Sequence, residues 1–550
     1  MAVALGVGAA AFNGAVAWAD SADSAGSSAH AGSARSASSS HSVAGPAKRA
    51  PSTAASARTR PAAKVRAQSI TSAAATKATP AAAADPSSPP VVPSESPLEL
   101  AALAYSRREA SVQALAAQNT AVIMGPSGVP IPKPTYIQSV FDLYINPSYP
   151  GSVPFQLDTP EGLYPITGVK SLPLNVSVQQ GLDILAATIA EQVAAGNTAT
   201  VFGYSQSAII SSLIMSQLPS DTPVNFVLVG NEMNPNGGML SRFPGLNLPS
   251  LGLPFYGATP ENAFPTTNYT LEYDGFADFP RYPLNIVSVL NAGLGIIFVH
   301  TKYAQLTQQQ VDAAIALPTT DPTQKYYIIP NPDLPLLEPL RLLPVIGNPI
   351  ADLLQPALKV IVNLGYGDPE FGYSTNGFAN QQTTFGFLPD PAVWGKAAGM
   401  FVEGIGQGIQ DFVADVSPGG IMWQELAGLH LPKPGPAPVF PTPTGVISAL
   451  QNLTTDIAYN ISNSTAALYA AVLPTVDIVN AIVTMLPAYG INLFLGGIQQ
   501  ALSGDVINGL VNAIGLPIAA AAGLVTTASL IEALVLLQAV QGFLGQETDV

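Results

Sequence analysis

The pentapeptide Gly203-Tyr204-Ser205-Gln206-Ser207 has the spacing of a nucleophile elbow. The pattern G-x-S-x-G places a serine on a strained turn between a strand and a helix, where only small residues fit beside it. Gly203 fills the first small position, and Ser207 replaces the second glycine by another small residue. A serine attacks an ester only when a neighbouring base takes its proton. The alternative is an ordinary serine that caps a helix, so a base and an acid must be found elsewhere.

The base has few candidates, because the chain has only four histidines. His30 and His41 lie in an Ala/Ser-rich tract, and His430 directly precedes a Pro-rich stretch. His300, in "GIIFVHTKY", lies after Ser205 within a region of alternating strand and helix patterns. We therefore expect His300 to be the base. The alternative is a hydrogen-bonded histidine of the core.

An acid must orient the base, and around such an elbow the chain order is Ser, acid, His. The segment "EYDGFADFP" ends a predicted strand and supplies Asp274 and Asp278. We prefer Asp278, because it follows Gly275 by three residues, where the chain has left the strand for a loop. Asp274 stays open as the alternative acid.

An oxyanion hole needs backbone N–H groups that point at the developing negative charge. Gln206, the residue after the nucleophile, supplies one. The loop "MGPSG" after the first predicted strand should supply the other; Pro126 has no N–H, so Ser127 is the candidate. The alternative for this loop is a plain Gly/Pro turn.

The elements that must hold these residues alternate between strand and helix. Apolar runs predict strands at Ala121–Met124, Thr198–Phe202 and Val224–Asn231, and one more within "NYTLEYDGFADFP". A helix is predicted over "SVQQGLDILAATIAEQVAAGN", with Ser177 and Gln180 as a capping box and Gly196 at its C-terminal end. This alternation predicts an α/β-hydrolase fold, a mostly parallel sheet with helices on both faces.

Composition shifts divide the chain into six segments. We expect a signal-like segment (1–19), a disordered Ala/Ser/Pro linker (20–95), the α/β core (96–319), a lid-like extension without strands (320–417), a Pro-rich joint (418–445) and an apolar helical region (446–550). A helix is also predicted over residues 97–118.

The net charge of −15 argues against nucleic acid as a partner. The chain has no cysteine, which excludes disulfides and a thiol nucleophile. Histidines and acidic residues do not cluster at metal-ligand spacing, so we expect neither a metal nor an organic cofactor.

The last segment raises the question of a membrane. No Lys or Arg follows Lys433, and the uncharged run from Val506 to Ile531 could span a bilayer. Polar residues, glycines and a proline interrupt that run, and no basic flank would orient it. We therefore expect helices that pack on one another or lie on lipid as a peripheral contact.

Several segments in order resemble the PE-PPE domain family of mycobacterial serine α/β-hydrolases, over residues 116 to 415. They are "GYSQSA", "VGNEMNPNGGMLSRF", "EYDGFADFPRYPLN", "VLNAGLG", "VHTKY", "LLPVIGNPIADLLQP" and "NLGYGDPEFGYST". Members are similar to cutinases and lipases and are regarded as esterases or as acyltransferases that build envelope glycolipids. The resemblance implies Ser205 as nucleophile, His300 as base and an aspartate of "YDGFAD" as acid.

Together these features predict a secreted or envelope-associated serine esterase that acts on acyl esters or lipids. A close alternative moves the acyl chain onto a sugar of an envelope glycolipid, such as a trehalose ester. An alternative of another class is an envelope scaffold protein with an inactive hydrolase fold.

Overall fold

The structure is a computed structural model, which describes residues 118–428 and 443–543 within one compact unit. The signal-like segment, the linker, the helix predicted over 97–118 and most of the Pro-rich joint lie outside the described residues.

Nine strands form two sheets. In chain order they are β1 (Asn119–Ile123), β2 (Val153–Gln156), β3 (Thr198–Tyr204), β4 (Val224–Val229), β5 (Asn247–Leu248), β6 (Leu253–Pro254), β7 (Thr266–Leu271), β8 (Ile315–Leu317) and β9 (Gln324–Ile329).

The main sheet has seven strands in the order β2-β1-β3-β4-β7-β9-β8. Every neighbouring pair is parallel except β8 and β9, which are antiparallel. Strand β3 lies near the centre, where its residue Val201 pairs with Val122 and with Phe226. This arrangement confirms the predicted α/β-hydrolase fold.

The helices are α1 (Pro134–Val140, continued by a π-helical turn), α2 (Leu174–Ala194), α3 (Gln206–Met215), α4 (Met239–Arg242), α5 (Ile286–Phe298), α6 (Gln308–Asp312), α7 (Glu338–Arg341), α8 (Gly347–Leu364), α9 (Val393–Val416), α10 (Ile421–Gly428), α11 (Pro443–Asn480), α12 (Leu486–Leu502) and α13 (Val506–Phe543). A 3₁₀ helix covers His300–Gln305.

The sheet is buried on both faces, because successive side chains of a strand point to opposite sides. On β1, Val122 joins one apolar core and Ile123 joins the other. The first core lies against α2 and α3, and the second against α1. Continuous apolar strands of this kind are typical of parallel sheets covered by helices.

Two expectations about local structure were wrong. Helix α2 begins at Leu174, with Pro173 before its first turn, so Ser177 and Gln180 form no capping box. Strand β9 belongs to the main sheet although it lies in the segment that we expected to have no strands. That segment also contains α8 and α9, which are 18 and 24 residues long rather than short. Part of the Pro-rich joint forms α10.

The C-terminal helices pack on the hydrolase core. Ala519, Ala520 and Leu524 of α13 belong to the first apolar core. Tyr164 donates a hydrogen bond to Asp477 of α11 over 2.6 Å. The helical region is therefore part of the same packed body.

Three stretches of the described residues are long and apolar enough to cross a membrane: Ile286–Gln305, Gln451–Leu502 and Val506–Gln541. The first is 67% buried within the protein, as expected for a core helix, whereas the other two are only 22% buried. Most of the apolar surface of the last two therefore faces outward.

Candidate active site

Ser205 lies on the sharp turn between β3 and α3. Its backbone has φ 57° and ψ −123°, a left-handed conformation that residues other than glycine rarely adopt. Such strain is typical of a nucleophile elbow, where it points the hydroxyl out of the strand–helix junction. The predicted strand, turn and helix are all present.

The two small residues of the motif have different reasons to be small. A Cβ on Gly203 would come within 2.6 Å of the Ser207 carbonyl oxygen and within 2.8 Å of Ala208 Cα. Ser207 fits because its hydroxyl folds back on the turn, accepting from the Tyr204 N–H at 2.8 Å and donating to the Tyr204 carbonyl at 3.0 Å. The serine in the place of the second glycine thus stabilises the elbow.

His300 follows α5 and is bound to Asp274 at the end of β7. His300 Nδ1 lies 2.8 Å from Asp274 Oδ2 and 2.9 Å from Oδ1. Tyr303 donates to the same Oδ2 at 2.7 Å, and the Tyr204 hydroxyl donates to the His300 carbonyl. Asp274 is fully buried and His300 is 6% exposed. This is the acid–base pair that orients an imidazole.

Asp278, the acid that we preferred, does not contact His300. Its Oδ2 accepts from the Tyr273 N–H at 3.0 Å. Tyr273 has φ 66°, so the chain reverses directly after β7 and presents Asp274, not Asp278, to the histidine. Burial raises the pKa of Asp278 well above its usual range, although the Tyr273 N–H opposes that rise. The structure therefore brings the alternative acid, Asp274, to the base.

Ser205 and His300 are not hydrogen-bonded to each other. The Ser205 hydroxyl donates to Glu232 Oε1 at 3.2 Å, and His300 Nε2 is buried without a hydrogen-bond partner among the described residues. Glu232 follows β4, the neighbour of β3 in the sheet, and is 3% exposed. Sequence reasoning missed this residue. The signal was a carboxylate three residues after a buried strand, at the edge of the sheet that carries Ser205.

The buried charges shift one another's protonation. Burial raises the pKa of Glu232 to about 7, although His300 and the Ser205 hydroxyl oppose the rise. Burial lowers the pKa of His300, but Asp274 and then Glu232 outweigh it, so the net shift is upward from 6.5. Burial also raises the pKa of Glu161 to about 8, with Thr159 opposing and Glu232 adding to the rise.

The proposed oxyanion residues lie together. The Gln206 side-chain amide donates to Ser127 Oγ at 3.0 Å and to the Gly162 carbonyl at 2.8 Å. Ser177 donates to the side-chain Oε1 of Gln206, and its hydroxyl makes this contact instead of capping α2. Gln206 thus ties the loop that follows β1 to the first turn of α3.

Among residues 118–428 and 443–543, no three His, Asp or Glu side chains converge as ligands for a metal ion would.

The sheet order, the elbow after β3 and the acid–base pair beyond β7 define the class of protein, an α/β-hydrolase. The PE-PPE domain matches residues 150–367. The chain is also 48% identical, over 447 residues, to the uncharacterized PPE family protein PPE28 of Mycobacterium tuberculosis (strain ATCC 25618 / H37Rv), which covers 78% of this chain and 67% of that protein. The chain belongs to the PE-PPE domain family.

Two further relatives come from the same strain. Esterase PE16 is 45% identical over 281 residues, covering 49% of this chain and 51% of that protein. Diacyltrehalose acyltransferase Chp2 is 26% identical over 219 residues, covering 36% of this chain and 58% of that protein. The chain thus spans about two thirds of PPE28 and about half of PE16.

Among solved structures, a cutinase-like protein from Cryptococcus sp. matches 36% of this chain and 93% of its own, with 14% identity and a TM-score of 0.23.

Proposed function

We propose that this protein is a serine esterase that cleaves acyl esters through an acyl-enzyme, with Ser205 as nucleophile, His300 as base and Asp274 as the acid that orients it. The observation that carries the proposal is the strained backbone of Ser205, whose hydroxyl contacts Glu232, a carboxylate close enough to the Asp274-bound His300 to raise the pKa of that imidazole. The similarity to a relative named an esterase supports it.

The reaction follows from the roles of these groups. Ser205 Oγ attacks the ester carbonyl while its proton passes to His300 Nε2. The N–H groups of Gln206 and Ser127 stabilise the oxyanion. His300 then gives the proton to the leaving alcohol, and water repeats the sequence to release the acid. Asp274 keeps the proton of the neutral imidazole on Nδ1, so that Nε2 is free to accept. In structures without substrate, the hydrogen bonds between catalytic groups are often long, and here His300 Nε2 and the Ser205 hydroxyl are not hydrogen-bonded.

Labelling with a fluorophosphonate tests this proposal directly. The described chain offers matched serines, because Ser207 lies two residues after Ser205 in the same elbow. We expect the wild type and Ser207→Ala to be labelled and to release p-nitrophenol from p-nitrophenyl butyrate, and Ser205→Ala to do neither. A folded wild type that is neither labelled nor active would favour the inactive scaffold protein instead.

Transfer to a sugar hydroxyl is a second candidate, favoured by the similarity to a diacyltrehalose acyltransferase. The same serine, base and acid would serve both reactions. Adding trehalose to the esterase assay separates them: an acyl-sugar formed at the expense of free acid would indicate a transferase.

The setting of the enzyme is proposed to be outside the cytoplasm, as a secreted or envelope-associated protein. The signal-like segment supports this, and the outward apolar side chains of α11 and α13 suit a peripheral contact with lipid. Co-sedimentation with vesicles of neutral and of anionic phospholipid tests the contact. Protein that stays in the supernatant with both would contradict it.

A further inference from the structure

A second carboxylate touches the proposed nucleophile. Ser205 Oγ donates to Glu232 Oε1 at 3.2 Å, while Asp274 already fills the place beside His300 Nδ1. Asp274 therefore already serves as the acid that orients His300, and the contact between Glu232 and Ser205 needs another explanation. A merely structural carboxylate would be bound by fixed donors. The donor at this oxygen is instead the Ser205 hydroxyl, which loses its hydrogen when the serine is acylated.

The groups around Glu232 act on its charge in opposite directions. Burial, and then the neighbouring Asp274, raise the pKa of this carboxyl, whereas His300 and the Ser205 hydroxyl favour its ionised form. In the acyl-enzyme, Ser205 Oγ is esterified and its hydrogen is gone. An ionised Glu232 is then an acceptor without a donor, beside the carbonyl that must be attacked. A buried acceptor in that state is costly until a new donor enters.

We propose that Glu232 is a further catalytic residue, which selects the acceptor of the deacylation step by binding one of its hydrogens. This inference rests on the serine esterase proposed above. Water has two hydrogens: one proton passes to His300 Nε2 as the oxygen attacks the acyl carbon, and the other is held by Glu232. The ester bond to Ser205 then breaks, and the proton on His300 returns to Oγ. A simple alcohol has only one hydroxyl hydrogen, which His300 takes, so Glu232 is left unpaired.

Glu232 should therefore favour water over simple alcohols. The test is product partitioning from p-nitrophenyl butyrate in the presence of methanol, with butyric acid and methyl butyrate measured together. Both products come from one acyl-enzyme, so their ratio is independent of the amount of folded protein and of the acylation rate.

We expect Glu232→Leu, which cannot accept a hydrogen bond, to lower the ratio of acid to methyl ester about tenfold or more. Glu232→Gln keeps an uncharged acceptor and should lie between Glu232→Leu and the wild type. Glu161→Gln is the matched control: it removes a buried carboxylate that accepts a hydrogen bond from the Thr159 hydroxyl rather than from Ser205, and it should not lower the ratio.

An equal ratio in the wild type and Glu232→Leu would overturn the inference, and so would an equal fall in Glu161→Gln. Fluorophosphonate labelling of Ser205 distinguishes the two levels. A labelled wild type with an unchanged ratio refutes only the role of Glu232, whereas an unlabelled wild type refutes the esterase itself.

Discussion

Replacing Asp274 by asparagine should abolish most of the activity through a change of tautomer. Asp274 Oδ1 accepts from the backbone N–H groups of Phe276 and Ala277, at 3.0 and 3.3 Å. These donors are fixed, so the amide oxygen of an asparagine would stay with them. Its NH₂ group would then face His300 Nδ1, which must become an acceptor. The proton would move to Nε2, which could no longer take the Ser205 proton.

The expected size follows from this loss of the base. A wrong tautomer costs about 10⁴-fold in serine proteases, so we expect kcat/KM to fall about 10³- to 10⁴-fold in Asp274→Asn. That corresponds to roughly 4 to 5.5 kcal/mol of transition-state stabilisation. The fold should survive, because Asn is isosteric with Asp and keeps the bonds to both N–H groups.

Asp278→Asn is the matched variant, because Asp278 lies four residues further along the same loop but contacts different groups. Its carboxyl has a raised pKa and accepts from Tyr273 N–H, a bond that an amide oxygen can keep. We expect kcat/KM within about threefold of the wild type, since no catalytic group is touched.

The assay is p-nitrophenol release at pH 8, with circular dichroism and a thermal melt as checks on folding. The reasoning would be refuted if Asp278→Asn lost activity while Asp274→Asn kept it, in two folded proteins.

Three further outcomes are expected. Ionised Glu232 helps to raise the pKa of His300, so Glu232→Gln should move the acidic limb of the pH profile of kcat/KM to lower pH; an unmoved or raised limb would contradict the coupling. Burial raises the folded-state pKa of Glu161 to about 8 from 4.5, so the folded chain holds a proton that the unfolded chain releases, and stability falls as pH rises between these values. Urea denaturation should therefore show Glu161→Gln gaining stability over the wild type from pH 5 to pH 8, by at most about 5 kcal/mol, whereas a constant difference would argue against a buried neutral acid. Ser127→Ala keeps the backbone N–H proposed for the oxyanion but removes the hydroxyl that accepts from the Gln206 side chain, so kcat should fall by about tenfold or less with little change in KM; an effect on KM alone would place Ser127 in ground-state binding.

The sequence predicted the elbow well, because the chemistry of that turn restricts residue types strongly. Gly203 and Ser207 are small for steric reasons that hold in any strand–turn–helix junction of this kind. His300 could be chosen as the candidate base by exclusion, because the other three histidines lie outside the region of alternating strand and helix patterns. The strands β1, β3 and β4 were also predicted, each within two residues of its observed bounds, and β7 was predicted without bounds.

The aspartate that contacts His300 is not the one we preferred, because that contact depends on one backbone conformation. Tyr273 adopts φ 66°, which a bulky aromatic residue rarely does, and no residue-type rule would have placed the reversal there. Glu232 was missed for a related reason: it comes near Ser205 only because β4 lies beside β3, and sheet order is a long-range property. Ser177 looked like a helix cap, yet its hydroxyl binds Gln206 across the fold.

The packing of α13 into the first apolar core has a consequence for how the protein can be made and folded. Ala519, Ala520 and Leu524 fill the same core as Val289 and Ala292 of α5, although they are translated long afterwards. The matched domain, residues 150–367, includes neither the three α13 side chains nor β1, which pairs with both β2 and β3. A recombinant fragment cut at those limits would expose strand edges and apolar surface, which invites aggregation. During synthesis, the part of the first core that Ala519, Ala520 and Leu524 fill therefore stays uncovered until the ribosome has passed α13.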